Sequence, residues 1–118
     1  MASGNIRFPF GSADVQALAG TGTKAVTIDD LLTVLNLTSL TGTVTIDLTF
    51  ETGLPIGARV LVHAVQGGTP QDVVLGTGFA ASAADLTGVA NDEDIIELYY
   101  NGTSMINLAG WQKIVDAA

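Results

Sequence analysis

The chain contains no cysteine and a single histidine, His63. The missing thiols exclude disulfides, thiolate catalysis and cysteine-ligated metals, and one histidine cannot supply a site that needs several imidazole ligands. We therefore expect no catalytic residues, no metal site and no other cofactor, and we predict that the protein is not an enzyme.

Positive charge is also scarce. Lysine and arginine together number 4 against 12 aspartates and glutamates, so the formal net charge is -8. Nucleic acids and anionic membranes attract proteins largely through cationic side chains, so neither is an expected partner. The sequence shows no basic patch followed by an apolar run near residue 1 and no stretch of ~18 apolar residues, which argues against a signal peptide and a membrane-spanning helix.

Charged residues of both signs make up only 14% of the 118 residues, against roughly 25% in an average domain. Hydrophobic residues make up 47%, and the length is that of one domain with its own core. Threonine and glycine, 14 of each, occupy most polar positions. Because a small monomer usually covers itself with charged side chains, this composition predicts that part of the surface is buried against other copies.

Apolar and polar residues alternate from Lys24 onward, which is typical of β-strands with one buried face. We predict seven to nine short strands separated by turns and no long helix, hence an all-β fold, an antiparallel β-sandwich or a jelly-roll-like barrel. No repeat of 20–50 residues is apparent, so a solenoid is not expected. Residues 59–66 are apolar on both faces and should form a central strand covered on both sides, with residues 71–75 pairing back in a hairpin. Asn101-Gly102 predicts a second hairpin, with a type I′ turn.

The clearest strand is residues 43–50. Its apolar residues fall on one face, and its outward face carries Thr43, Thr45, Asp47 and Thr49. Threonine combines a methyl group with an uncharged hydroxyl, so a partner can cover it with only local hydrogen bonds. The alternative is a plain solvated face, since exposed threonine is common on β-sheets.

The first 24 residues are rich in glycine, serine and alanine. Pro9, between Phe8 and Phe10, argues against a central strand there. We predict an extended N-terminal arm over residues 1–24, followed by a single β domain over residues 25–118. The arm either docks on a neighbouring molecule or is a frayed terminus, and residues 14–19 fit a short helix or a strand equally well.

Four segments together resemble a family of small β-rich structural proteins of tailed bacteriophages: Asp47-Leu48-Thr49-Phe50, residues 57–62, residues 72–79 with Gly76-Thr77-Gly78-Phe79, and residues 97–103 with Tyr99-Tyr100-Asn101-Gly102-Thr103. The similarity covers roughly residues 40–108. It implies a virion component such as a head decoration protein, a head fibre base or a tail accessory protein, commonly a homotrimer. The family offers no catalytic residues to transfer.

Three other interpretations are open. His63 can be a partly buried sheet histidine with a hydrogen-bond partner. Asp92 and Asp94 have the spacing of calcium ligands but fit a solvated turn better. Trp111 with Tyr99 or Tyr100 could stack on a sugar, which makes a carbohydrate- or receptor-binding module the alternative function and a glycan the alternative ligand.

The function that we expect is a non-enzymatic virion structural protein, a homotrimer that binds a capsid or tail protein of the particle through its N-terminal arm. The candidate interface residues are Phe8, Phe10, Thr43, Thr45, Asp47, Thr49 and Trp111.

Overall fold

Nine β-strands form two sheets in the computed structural model, which describes residues 13–114. No helix occurs in that part of the chain, so the prediction of an all-β fold is confirmed. The strands are β1 (Asp14–Leu18), β2 (Gly22–Ile28), β3 (Leu32–Leu37), β4 (Val44–Phe50), β5 (Arg59–Val65), β6 (Val73–Leu75), β7 (Glu93–Tyr100), β8 (Met105–Asn107) and β9 (Gln112–Lys113).

Consecutive strands alternate between the two sheets up to β7. The larger sheet has the order β1-β3-β5-β7-β8, with β9 also pairing with β7, and the smaller sheet has the order β2-β4-β6. The inward side chains of both sheets share one hydrophobic core. Fully buried members come from both layers: Leu35, Val62 and Ile96 from the larger sheet, and Ile28 and Ile46 from the smaller one.

The expected antiparallel pairing is only partly right. β5, β7, β8 and β9 do pair antiparallel, whereas β1-β3-β5 and β2-β4-β6 are parallel throughout. Parallel neighbours need a crossover connection, and here each crossover is a strand of the opposite sheet. Between two parallel neighbours the chain therefore passes once through the opposite sheet. These passages differ in length, so the sequence shows no fixed repeat.

The two predicted hairpins have different outcomes. β7 and β8 do form an antiparallel pair, but Tyr100 is the partner of Met105, so the loop has four residues and not the two of a type I′ turn. The Asn101 side chain caps this loop by accepting the Thr103 and Ser104 amides at 2.9 and 2.8 Å. The hairpin predicted for residues 71–75 is wrong, because β6 lies beside β4 in the smaller sheet.

The larger sheet begins at Asp14, because β1 pairs with β3 over its whole length. Residues 14–18 are thus a strand, and residues 22–24 open β2, within the stretch that sequence analysis assigns to the arm. Residues 1–12 lie outside the described residues. Among residues 13–114 there is no helix long and apolar enough to cross a membrane.

Candidate interaction surfaces

The outward face of the smaller sheet gathers the predicted threonines. Thr45 and Thr49 project outward from β4, because their neighbours Val44, Ile46 and Leu48 are buried. Strand β2 extends this face in register, and it adds two further threonines and an alanine. The paired residues are Thr23 with Thr45, Ala25 with Asp47, and Thr27 with Thr49.

This surface, called the threonine face below, consists of the outward residues of β2 and β4. Thr43 lies just before β4, is exposed, and accepts the Gly22 amide on its carbonyl at 3.0 Å. Asp47 is the one ionisable side chain among the paired outward residues. The threonine face therefore presents methyl and hydroxyl groups of similar height, with a single carboxylate among them.

The carboxylate of Asp47 has an internal partner. Its Oδ1 accepts the backbone N–H of Thr77 at 2.9 Å. Residues 76–78 continue alongside β4 after β6 ends: Gly76 donates to Ile46 O at 2.9 Å, and Leu48 donates to Thr77 O at 2.8 Å. Asp47 thus fixes the segment that extends the smaller sheet, which gives this candidate interface residue a structural role as well.

Trp111 lies away from the threonine face. It packs against the hydrophobic core, and its indole Nε1–H donates to Ala84 O at 2.8 Å. The ring therefore ties the segment before β9 to the connection between β6 and β7. Phe8 and Phe10, the other aromatic candidates, lie outside the described residues.

The aromatic residues that could serve a sugar platform point in different directions. Tyr99 and Tyr100 lie on opposite faces of β7, because successive side chains alternate along a strand. Tyr100 packs inside against Phe50, with ring centroids 4.6 Å apart and the rings tilted by 38°, and Tyr99 projects from the outside of the larger sheet. Phe79 packs against the core.

His63 is a partly buried sheet histidine with hydrogen-bond partners, as predicted. Its Nδ1 lies 3.1 Å from Asn36 Oδ1 on β3, and its Nε2 bonds to Glu93 Oε2 on β7. Both ring nitrogens thus face side-chain oxygens of the neighbouring strands. This cluster joins three strands of the larger sheet.

The acidic residues at the start of β7 point in different directions. Asp92 lies 3.3 Å from Lys113 Nζ, Glu93 turns outward to His63, and Asp94 is buried on the inward face. Burial raises the pKa of Asp94, and the neighbouring charge of Asp92 adds to the increase while Lys113 opposes it. Within residues 13–114 no group of three or more acidic or histidine side chains could hold a metal ion.

The outward face of the larger sheet is the feature that sequence analysis missed. β5 is central, as predicted, but no described strand packs over its outer side. Exposed or half-buried apolar side chains share this surface, which we call the apolar face, with Asn36, His63 and the charged residues Arg59, Glu93 and Glu97. Its apolar members are Val15, Ala17, Leu32, Val34, Leu61, Val65, Ile95 and Ile106.

A hollow of about 220 Å³ opens at one side of the apolar face. It forms where β8 and β9, both paired with β7, are separated by residues 108–111. Its walls are mostly apolar, from Leu61, Ile95 and Leu108, with Glu97 and Gln112 at the rim. The sequence does contain a signal for this outward apolar surface, which is Ile95-Ile96 in β7. One of two consecutive apolar residues in a strand must face outward.

Comparison of the chain with family models, with curated proteins and with solved structures finds no match.

Proposed function

We propose that this chain is a non-enzymatic structural protein of a tailed-bacteriophage particle, which assembles with copies of itself and attaches to a capsid or tail protein. The observation that carries the proposal is the threonine face. Two strands present it in register, and its one carboxylate, on Asp47, is bonded to the Thr77 amide of the same chain. A partner that covers this face desolvates mainly hydroxyl and methyl groups.

The charge distribution supports assembly over catalysis. The chain carries only 16 charged side chains, and two of the described cations have acidic partners, in the pairs Arg59–Glu97 and Lys113–Asp92. Surplus acid elsewhere limits non-specific adhesion to other acidic proteins. The virion assignment itself rests on the resemblance of residues 40–108 to phage structural proteins.

In this proposal the assembly is a homotrimer, and the N-terminal arm attaches it to the particle. Phe8 and Phe10 are the anchors, because two aromatic side chains can fill pockets on a partner and dominate the binding energy. The threonine face forms contacts between the three copies.

A mass measurement tests the self-association. Multi-angle light scattering at micromolar concentration should give a mass of three times 12.1 kDa or a whole multiple of that value. Replacing Thr45 and Thr49 by lysine should lower that mass, because charges would be buried at the contact. The same change at Thr103, exposed in the β7–β8 loop, should leave the mass unaltered. A clean monomer of the parent chain would contradict the proposal.

Attachment is tested with a chain that lacks residues 1–12. The parent chain should sediment with purified phage particles that lack their own copy, and the truncated chain should stay in the supernatant. Circular dichroism of both chains controls for folding. Sedimentation of the truncated chain with the particles would remove the arm from the mechanism.

A further inference from the structure

The apolar face has a protruding side chain at one end of a row of paired residues and a hollow at the other end. The backbone pairing places Val15 beside Val34, Val34 beside Leu61, and Leu61 beside Glu97. Val15, at the β1 end of this row, is 58% exposed and projects as a knob. The hollow lies at the other end of the same row, around Glu97.

The acidic side chains of this face are already paired. Glu97 is 2.9 Å from Arg59 Nη1, and Glu93 is bonded to the ring of His63. A chain with a net charge of -8 repels its copies over most of its surface. The apolar face is a place where two such chains can approach without bringing unpaired carboxylates together.

We infer that the apolar face binds the same face of a second copy, about a two-fold axis parallel to the strands and above β3 and β5. Rotation about such an axis reverses the order of the strands in the second copy relative to the first. Each residue keeps its position along the strand direction. The Val15 knob of each copy then lies over the hollow of the other, and the contact forms twice. The contact is separate from the threonine face and does not depend on the virion assignment.

The area is close to what such a pair needs. The 31 strand residues of the larger sheet, at about 3.3 Å per residue and about 4.8 Å between strands, give a footprint of roughly 490 Å² on each copy, or roughly 980 Å² in total. A specific interface needs about 1,000 Å². Two sheets of similar twist pack face to face with nearly aligned strands, which is the arrangement that this axis produces.

The first test places a charge on the knob. Val15→Asp should halve the assembled mass in light scattering, because each contact would bury a carboxylate against the apolar hollow. The matched control is Val89→Asp, since Val89 is 55% exposed and lies in the connection before β7. The control should keep the parent mass. An unchanged mass for Val15→Asp would overturn the inference, whether or not the parent mass is a multiple of three.

The second test uses the absence of native cysteine. The double variant Val15→Cys with Ala109→Cys, where Ala109 lines the hollow, should give a covalent dimer on a non-reducing gel after mild oxidation. Within one copy the two positions lie about four strand spacings apart, roughly 19 Å, too far for a disulfide. Each single variant should remain a single chain. A double variant that remains a single chain would overturn the inference.

A third measurement distinguishes two possible occupants of the apolar face, which are a second copy of the chain and residues 1–12. Removal of residues 1–12 should leave both the mass halving by Val15→Asp and the disulfide dimer intact. Loss of both effects in the truncated chain would show that the N-terminal segment covers the face and would overturn the inference.

Discussion

At the scale of single residues, alternation in the sequence identifies which side chains share a face. It placed Thr45, Asp47 and Thr49 together, and the structure has them outward on β4. It did not predict that the Asp47 carboxylate binds the Thr77 amide, because that contact depends on where the chain returns 30 residues later. Side-chain partners distant in sequence follow from the topology and not from the local pattern.

Thr33 offers a residue-scale prediction. Its side chain is fully buried on the inward face of β3, and its hydroxyl oxygen has no hydrogen-bond partner. A buried hydroxyl without a partner costs about 1 kcal/mol or more. Thr33→Val keeps the shape and removes the hydroxyl, so it should raise the free energy of unfolding by about 1 kcal/mol. Urea denaturation measures the change.

Thr33→Ser is the control, because it keeps the hydroxyl and removes the methyl group from the core. It should lower the free energy of unfolding by about 1 kcal/mol. If Thr33→Val were the less stable of the two variants, the hydroxyl would have to be bonded in the folded protein.

At the scale of elements, the period-2 pattern predicted most strands but not their partners. Residues 73–75 of the predicted strand 71–75 form β6, which pairs with β4 and not with β5. A strand with one apolar face packs equally well in either sheet, so periodicity leaves the choice of neighbour open. The apolar stretch in β5 predicted a central strand covered on both sides, and its outer side is the face that we assign to a second copy.

The segment after β6 depends on Gly78. Its φ of +90° is in the left-handed region, and a Cβ there would lie 2.7 Å from Leu48 Cβ and 3.0 Å from Leu48 O. From this point the chain crosses to the larger sheet, where Met105 donates to Gly78 O at 2.8 Å. Gly78→Ala should therefore cost about 2 kcal/mol or more.

Gly67→Ala is the matched control for thermal or urea unfolding. Gly67 lies in the loop after β5 with nothing within 4 Å of an added Cβ, and its φ is not in the left-handed region. Its replacement should change the free energy of unfolding by no more than about 0.5 kcal/mol. Equal effects at the two positions would show that the crossing does not require glycine.

At the scale of the whole molecule, the composition predicts that part of the surface is buried against other copies, and sequence analysis assigned that burial to one strand face only. Uncharged side chains lie on the outward faces of both sheets. The smaller sheet carries threonines, and the larger sheet carries valine, leucine and isoleucine. The second face was not predicted because the tertiary arrangement decides whether an apolar strand face is covered within the chain.

Net charge gives the prediction at this scale. Twelve acidic residues against four basic ones make every approach of two copies repulsive at long range, while the carboxylates within the proposed contacts have partners in their own chain. Raising NaCl from about 0.02 M to 0.5 M shortens the screening length from roughly 20 Å to about 4 Å and removes most of that repulsion. Sedimentation velocity should therefore show larger assemblies and a lower apparent Kd at high salt. Dissociation at high salt would mean that ion pairs between copies hold the assembly together. The contact would then lie on the charged parts of the surface and not on the threonine and apolar faces.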